Sequence, residues 1–186
     1  MKLQPILDCL ECDPVIAAIR DDRWQEAIDS PAQVLFYLSA EVLTVAERIR
    51  QAHEAGKYVL VHADLAEGIG KDRAGLRYLA QCGADGILST KAQLIRYAKE
   101  LDLIAVQRFF FLDSRGMESI DEMLRTSCPH LMEIMPGVIG KAIRRFSSGP
   151  IPVIAGGLLQ TKAEVTEALR SGATAVSTGD KKLWYL

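Results

Sequence analysis

Two short runs, Ala155-Gly156-Gly157 and Ser177-Thr178-Gly179, have the composition of an anion cradle. Glycine leaves the backbone N–H groups beside it unhindered, and a helix that begins just after such a turn adds the partial positive charge of its first N–H groups. Ser177 and Thr178 add hydroxyls, and Gly179 gives a second approach free of a Cβ. One glycine pair is explained equally well by a tight turn. Two such runs on neighbouring strands point to a phosphate. A second group of residues puts polar atoms inside apolar runs: His62 and Asp64, Ser89 with Thr90 and Lys91, Gln107 and Arg108, and Glu133. A carboxylate in a strand covered on both faces is costly unless paired. Glu133 is therefore expected to face a ligand mouth, where it accepts from ligand hydroxyls or pairs with Arg108 or Lys91. His62 reads first as a satisfied core histidine.

The elements that must position these residues alternate along the chain. Apolar runs at 15–19, 34–38, 58–64, 86–89, 103–112, 131–135, 151–155 and 173–177 read as strands. Segments of helical spacing at 22–28, 43–55, 74–81, 91–100, 117–126 and 138–146 lie between them. Another helix precedes the first strand at 6–11. One more follows Thr161, whose hydroxyl with Glu164 makes a capping box. Strand–helix alternation implies parallel βαβ units. Eight such units predict a single compact TIM-type (β/α)8 barrel over 1–186, its final helix reduced or absent and its first helix available to cover that gap. An open doubly wound sheet is the alternative, and it also binds ligands beyond its strand C-termini. Either way, the residues at strand ends carry the function.

Composition narrows the partners. With 186 residues and a formal charge of −2, the chain is an ordinary globular length with no general attraction for polyanions. No apolar run approaches the length of a membrane span. Asp8 and Glu11 fall where a signal peptide needs apolar residues, so a cytoplasmic location is expected. Four cysteines are too few for a disulfide framework. Cys9-x-x-Cys12 and Cys128-Pro-His130 would make a zinc site only if they met in space, so no metal or cofactor is expected. The remaining lysines, including Lys162, Lys181 and Lys182, read as solvated.

Several blocks carry a resemblance: Val61-His-Ala-Asp-Leu-Ala-Glu-Gly68, Asp85-Gly-Ile-Leu-Ser-Thr-Lys91, Gln107-Arg-Phe-Phe-Phe-Leu-Asp-Ser114, Met132-Glu-Ile-Met-Pro-Gly137, Ile154-Ala-Gly-Gly-Leu158 and Val176-Ser-Thr-Gly179. In this order, over residues 34–184, they resemble the glycerol-3-phosphate-responsive antiterminator family. The resemblance implies a TIM-type barrel that senses glycerol 3-phosphate and acts on leader mRNA of glycerol-catabolism genes, without catalysis. It places phosphate at Gly156, Gly157, Ser177, Thr178 and Gly179, and the glycerol end at Asp64, Ser89, Gln107 and Glu133. The charged turn Asp180-Lys181-Lys182 departs from the family pattern. The competing reading of the residues alone is a barrel isomerase or aldolase acting on a small phosphorylated sugar, with Asp64 or Glu133 as base. The residues themselves show no RNA-binding stripe, and they leave the oligomeric state open.

Overall fold

A computed structural model describes residues 3–111 and 116–186. Within them the helices are α1 (Leu3–Cys12), α2 (Trp24–Asp29), α3 (Val45–Glu54), α4 (Arg73–Gln81), α5 (Ala92–Glu100), α6 (Gly116–Ser127), α7 (Gly140–Ser147) and α8 (Lys162–Arg170). The strands are β1 (Val15–Ile19), β2 (Val34–Tyr37), β3 (Tyr58–His62), β4 (Gly86–Ser89), β5 (Ile104–Phe110), β6 (Leu131–Met135), β7 (Val153–Gly156) and β8 (Ala175–Thr178). All neighbouring strands pair in parallel, and Ile16 opposite Ser177 closes β1 onto β8. The architecture is the TIM barrel. The expected strand end at Leu112 and the motif residues Asp113 and Ser114 lie outside the described residues.

The period of two in each strand builds two cores. Inward positions such as Ile16, Phe36, Leu60, Leu88, Val106 and Ile154 fill the barrel axis. Outward positions such as Ala17, Leu35, Val61, Ile87 and Val176 pack beneath the helices. Helix α1 belongs to the first of these cores. Its Ile6 and Leu10, one turn apart, are buried with Ile16 and Val34 at the start of the barrel. This corrects the expectation that α1 stands in for a missing eighth outer helix: α1 plugs the N-terminal end of the barrel. Beyond β8 stands a short 3-10 turn, Lys181–Tyr185, with Leu183 and Trp184 buried. Among the described residues, no helix is long and apolar enough to cross a membrane.

Local signals explain most boundaries. Thr161 accepts the Glu164 N–H at 3.2 Å, while the Glu164 carboxylate accepts the N–H groups of Gln160 and Thr161, so α8 starts where its capping box places it. Several boundaries move by one or two residues, and two of them bear on the site. Strand β3 stops at His62, which leaves Asp64 on the loop, and β8 runs on to Thr178. Cys9 and Cys12 lie on α1, Cys128 follows α6, and all four thiols are free.

Candidate functional site

The C-terminal mouth of the barrel opens into a cavity of about 930 Å³ lined by the ends of β1, β5, β6, β7 and β8. Its floor is built from inward-facing polar side chains. Glu133 is fully buried, and one carboxylate oxygen accepts from Arg108 Nε at 2.5 Å. Its other oxygen accepts the Ser177 hydroxyl at 2.5 Å. Arg108 and Glu133 are register partners across β5 and β6, so the pair follows directly from strand pairing. The two sequence expectations for Glu133, a mouth-facing carboxylate and a paired one, are both met by this arrangement.

Gly156 is what admits that arrangement. A Cβ there would lie 2.4 Å from the nearer Glu133 oxygen and 2.6 Å from the Ser177 hydroxyl. Gly157 turns the chain out of β7 at φ +73°, a region L-residues avoid, and a Cβ there would press on the Met135 methyl at 2.7 Å. Around this turn, the N–H groups of Gly157, Leu158 and Gly179 donate to no acceptor among the described residues. Loop N–H groups with no protein acceptor beside a cavity are available to an anion. Arg20, the residue after β1, lines the same cavity and brings positive charge to it. Just before α8 the N–H groups of Gln160 and Thr161 are taken by the Glu164 carboxylate, and the Glu164 N–H by the Thr161 hydroxyl, so these three are not open to an anion.

Not every expected site residue joins this floor. Asp64 accepts from the Ser89 hydroxyl at 2.7 Å, the Thr90 N–H at 2.7 Å and the Thr90 hydroxyl at 2.9 Å. Burial raises its carboxyl pKa, but those hydrogen bonds outweigh it and hold the group below the usual range. Asp64 and Ser89 thus tie the β3 and β4 loops to each other. Gln107 faces away from the barrel axis, where its side-chain oxygen accepts the Ser127 hydroxyl of α6. Thr178 donates to the Leu159 carbonyl and accepts the Asp180 N–H, so it joins the two loops at the cavity wall. Lys71 donates to the Ala66 carbonyl, and Lys181, expected to be solvated, pairs at the surface with Glu26 at 3.0 Å. Sequence reasoning missed Arg20 and Arg23; Arg20 was recoverable as the first residue past a strand.

His62 faces the barrel interior below the mouth, and its Nδ1 has no partner among the described residues. Burial pushes its pKa down to about 4, helped by the nearby Arg108 charge and by Lys71, while Asp64 acts in the opposite sense. The ring is therefore neutral at pH 7. In the unfolded chain its pKa is near 6.5. The unfolded state then binds the extra proton between about pH 6.5 and 4, and stability falls as pH drops through that window. The full loss from this group is on the order of 3 kcal/mol. Urea unfolding of His62→Phe should show a flatter pH dependence than wild type from pH 7 to 4.5. Parallel curves would remove His62 as the cause.

Comparisons with known proteins place the chain in a family. The profile of the family described as glycerol-3-phosphate responsive antiterminator matches residues 15–184. A curated relative, the uncharacterized protein YgcP of Escherichia coli K12, is 34% identical over 98% of this chain and 97% of its own length. The crystal structure of the glycerol uptake operon antiterminator regulatory protein from Listeria monocytogenes superposes with a TM-score of 0.87 at 31% identity, covering 92% of this chain and 95% of that one. A glycerol uptake operon antiterminator-related protein from Thermotoga maritima gives 0.83 at 32% identity, covering 91% and 96%. With its profile match spanning all eight strands and the helices between them, this chain belongs to the glycerol-3-phosphate responsive antiterminator family.

Proposed function

We propose that this protein is a regulator that binds glycerol 3-phosphate in the barrel mouth and, in response, acts on leader mRNA to prevent premature termination. The observation that carries the ligand reading is the pairing of two chemistries in one cavity. At its rim are the unpartnered N–H groups of Gly157, Leu158 and Gly179 with Arg20, a set suited to a phosphate dianion. At its floor is Glu133, where Arg108 and Ser177 each occupy one oxygen and further lone pairs remain to accept from the two hydroxyls of a glycerol unit. In this reading Gly156 and Thr178 shape the pocket. Asp64, Ser89 and Gln107 sit outside the ligand's reach. The leader-mRNA step rests on the family description.

The enzyme alternative has less support. Among the described residues lining the cavity there is no lysine to form a Schiff base, and fold likeness to enzymes carries no chemistry.

The test is titration of glycerol 3-phosphate by calorimetry into wild type and Gly179→Val. Gly179 is a cleaner target than Gly157 because its φ is not in the left-handed region and a Cβ would meet only the Ala18 carbonyl, at 3.3 Å. Wild type should bind, and the variant should lose most of the affinity while keeping its unfolding midpoint. Ligand should also tighten leader RNA, since coupling between two sites is reciprocal and typically about 5- to 150-fold. Equal RNA affinity with and without ligand would end the regulatory reading.

A further inference from the structure

We infer that Trp184 is a positioning residue for the phosphate site, setting the direction of the Gly179 N–H through the Thr178 carbonyl. This rests on the anion reading of the cavity rim given above. The buried indole, 1% exposed, donates from Nε1 to the Thr178 carbonyl at 2.8 Å. That carbonyl and the Gly179 N–H belong to one peptide group, which is planar and trans, so the two point in opposite directions. Holding the carbonyl against the 3-10 turn therefore aims the N–H the other way.

The rest of the loop is held as well. Arg23 Nη1 donates to the Gly179 carbonyl at 2.7 Å, and the Asp180 N–H donates to the Thr178 hydroxyl at 3.1 Å. The Asp180 carbonyl accepts the Leu183 N–H at 3.0 Å, which ties the loop to the turn that carries Trp184. Along this stretch the Gly179 N–H, like that of Lys181, has no acceptor among the described residues. A loop held by these bonds at successive carbonyls loses little freedom when an anion arrives. Such preorganisation raises affinity by lowering the cost of ordering. The buried Trp184 thus extends the site to the 3-10 turn that follows β8. Linkage adds a consequence: an anion bound at Gly179 must tighten the Trp184 bond by the factor that the bond tightens the anion.

Trp184→Phe keeps an aromatic ring in the buried position but removes the donor. In the full chain, well below its unfolding temperature, inorganic phosphate and glycerol 3-phosphate should each bind about tenfold or more weakly than to wild type, the scale of one hydrogen bond to a charged group. Equal affinity would overturn the role of Trp184 and leave the cavity reading standing. Absence of phosphate and glycerol 3-phosphate binding by wild type would remove the cavity reading and this role with it. If Trp184→Phe does not fold, hydrogen exchange in wild type decides. Exchange of the Trp184 indole N–H should slow at saturating phosphate, and an indole indifferent to phosphate would refute the coupling.

Discussion

Glu133→Gln should lose about 3–5 kcal/mol of unfolding free energy in urea, because it leaves the Arg108 charge buried without its partner. The side chain of Arg108 is 9% exposed and that of Glu133 is wholly buried, so bulk solvent screens little of the charge that the lost carboxylate leaves behind. The amide fits the space but not the donors. Arg108 Nε and the Ser177 hydroxyl both donate to Glu133, and the amide replaces one of the two acceptor oxygens with an NH2 group. Either a donor faces a donor at Arg108, or the Ser177 hydroxyl must turn its proton elsewhere and accept from the amide. Affinity for glycerol 3-phosphate should fall by roughly 10- to 100-fold, the scale of one or two lost bonds to a charged acceptor. A stability change under 1 kcal/mol would show that the ion pair is not buried as described. The same variant separates regulator from enzyme. Glycerol 3-phosphate should be recovered unchanged from wild type and variant alike. Turnover of a phosphorylated sugar by wild type, abolished in Glu133→Gln, would overturn the regulatory reading.

Gly156→Ala, a change of one methyl group, should cost about 1–3 kcal/mol of stability, as overpacking of a filled core does. The added carbon falls 2.4 Å from a Glu133 oxygen and 2.6 Å from the Ser177 hydroxyl, which themselves form a hydrogen bond. It has to separate them, and both line the ligand cavity. Binding of glycerol 3-phosphate should therefore be lost together with the stability. The two effects share a cause, so they should be non-additive with Ser177→Ala: in that background one clashing atom is gone, and Gly156→Ala should cost measurably less. Strict additivity in a denaturation cycle would show that the clash is relieved some other way.

The cavity floor was partly legible from its residues. A charged side chain in a strand that must be covered on both faces has few places to go, and the mouth is the one compatible with ionisation. That argument located Glu133. It could not separate Gln107 from Arg108. Neighbouring residues in a strand face opposite sides, and both are polar. The choice was made by what each meets: Arg108 stands opposite Glu133 in register, and Gln107 lies under Ser127 of α6. The same reasoning put Asp64 beside Glu133 at the glycerol end, yet the two meet different partners. Ser89 and Thr90 satisfy Asp64 first, because β3 ends two residues earlier than its hydrophobicity implies.

Sequence alone determined the alternation of strands and helices, the capping box at Thr161, the glycine turn after β7 and the family. These depend on short-range sterics, on the periods of two and 3.6, and on motif blocks contiguous in the chain. Tertiary structure alone decided the rest. It turned α1 into a plug, because the barrel axis offers Ile6 and Leu10 more complete burial than the outer layer would. It also brought Arg23 and Trp184 to the carbonyls of Gly179 and Thr178. Arg23 and Gly179 are 156 residues apart in sequence, and they meet because closure of the barrel sets β1 beside β8. No local pattern encodes such a contact. It exists because eight tilted parallel strands return the last to the first, and any side chain just beyond that seam is then within reach of the other end of the chain.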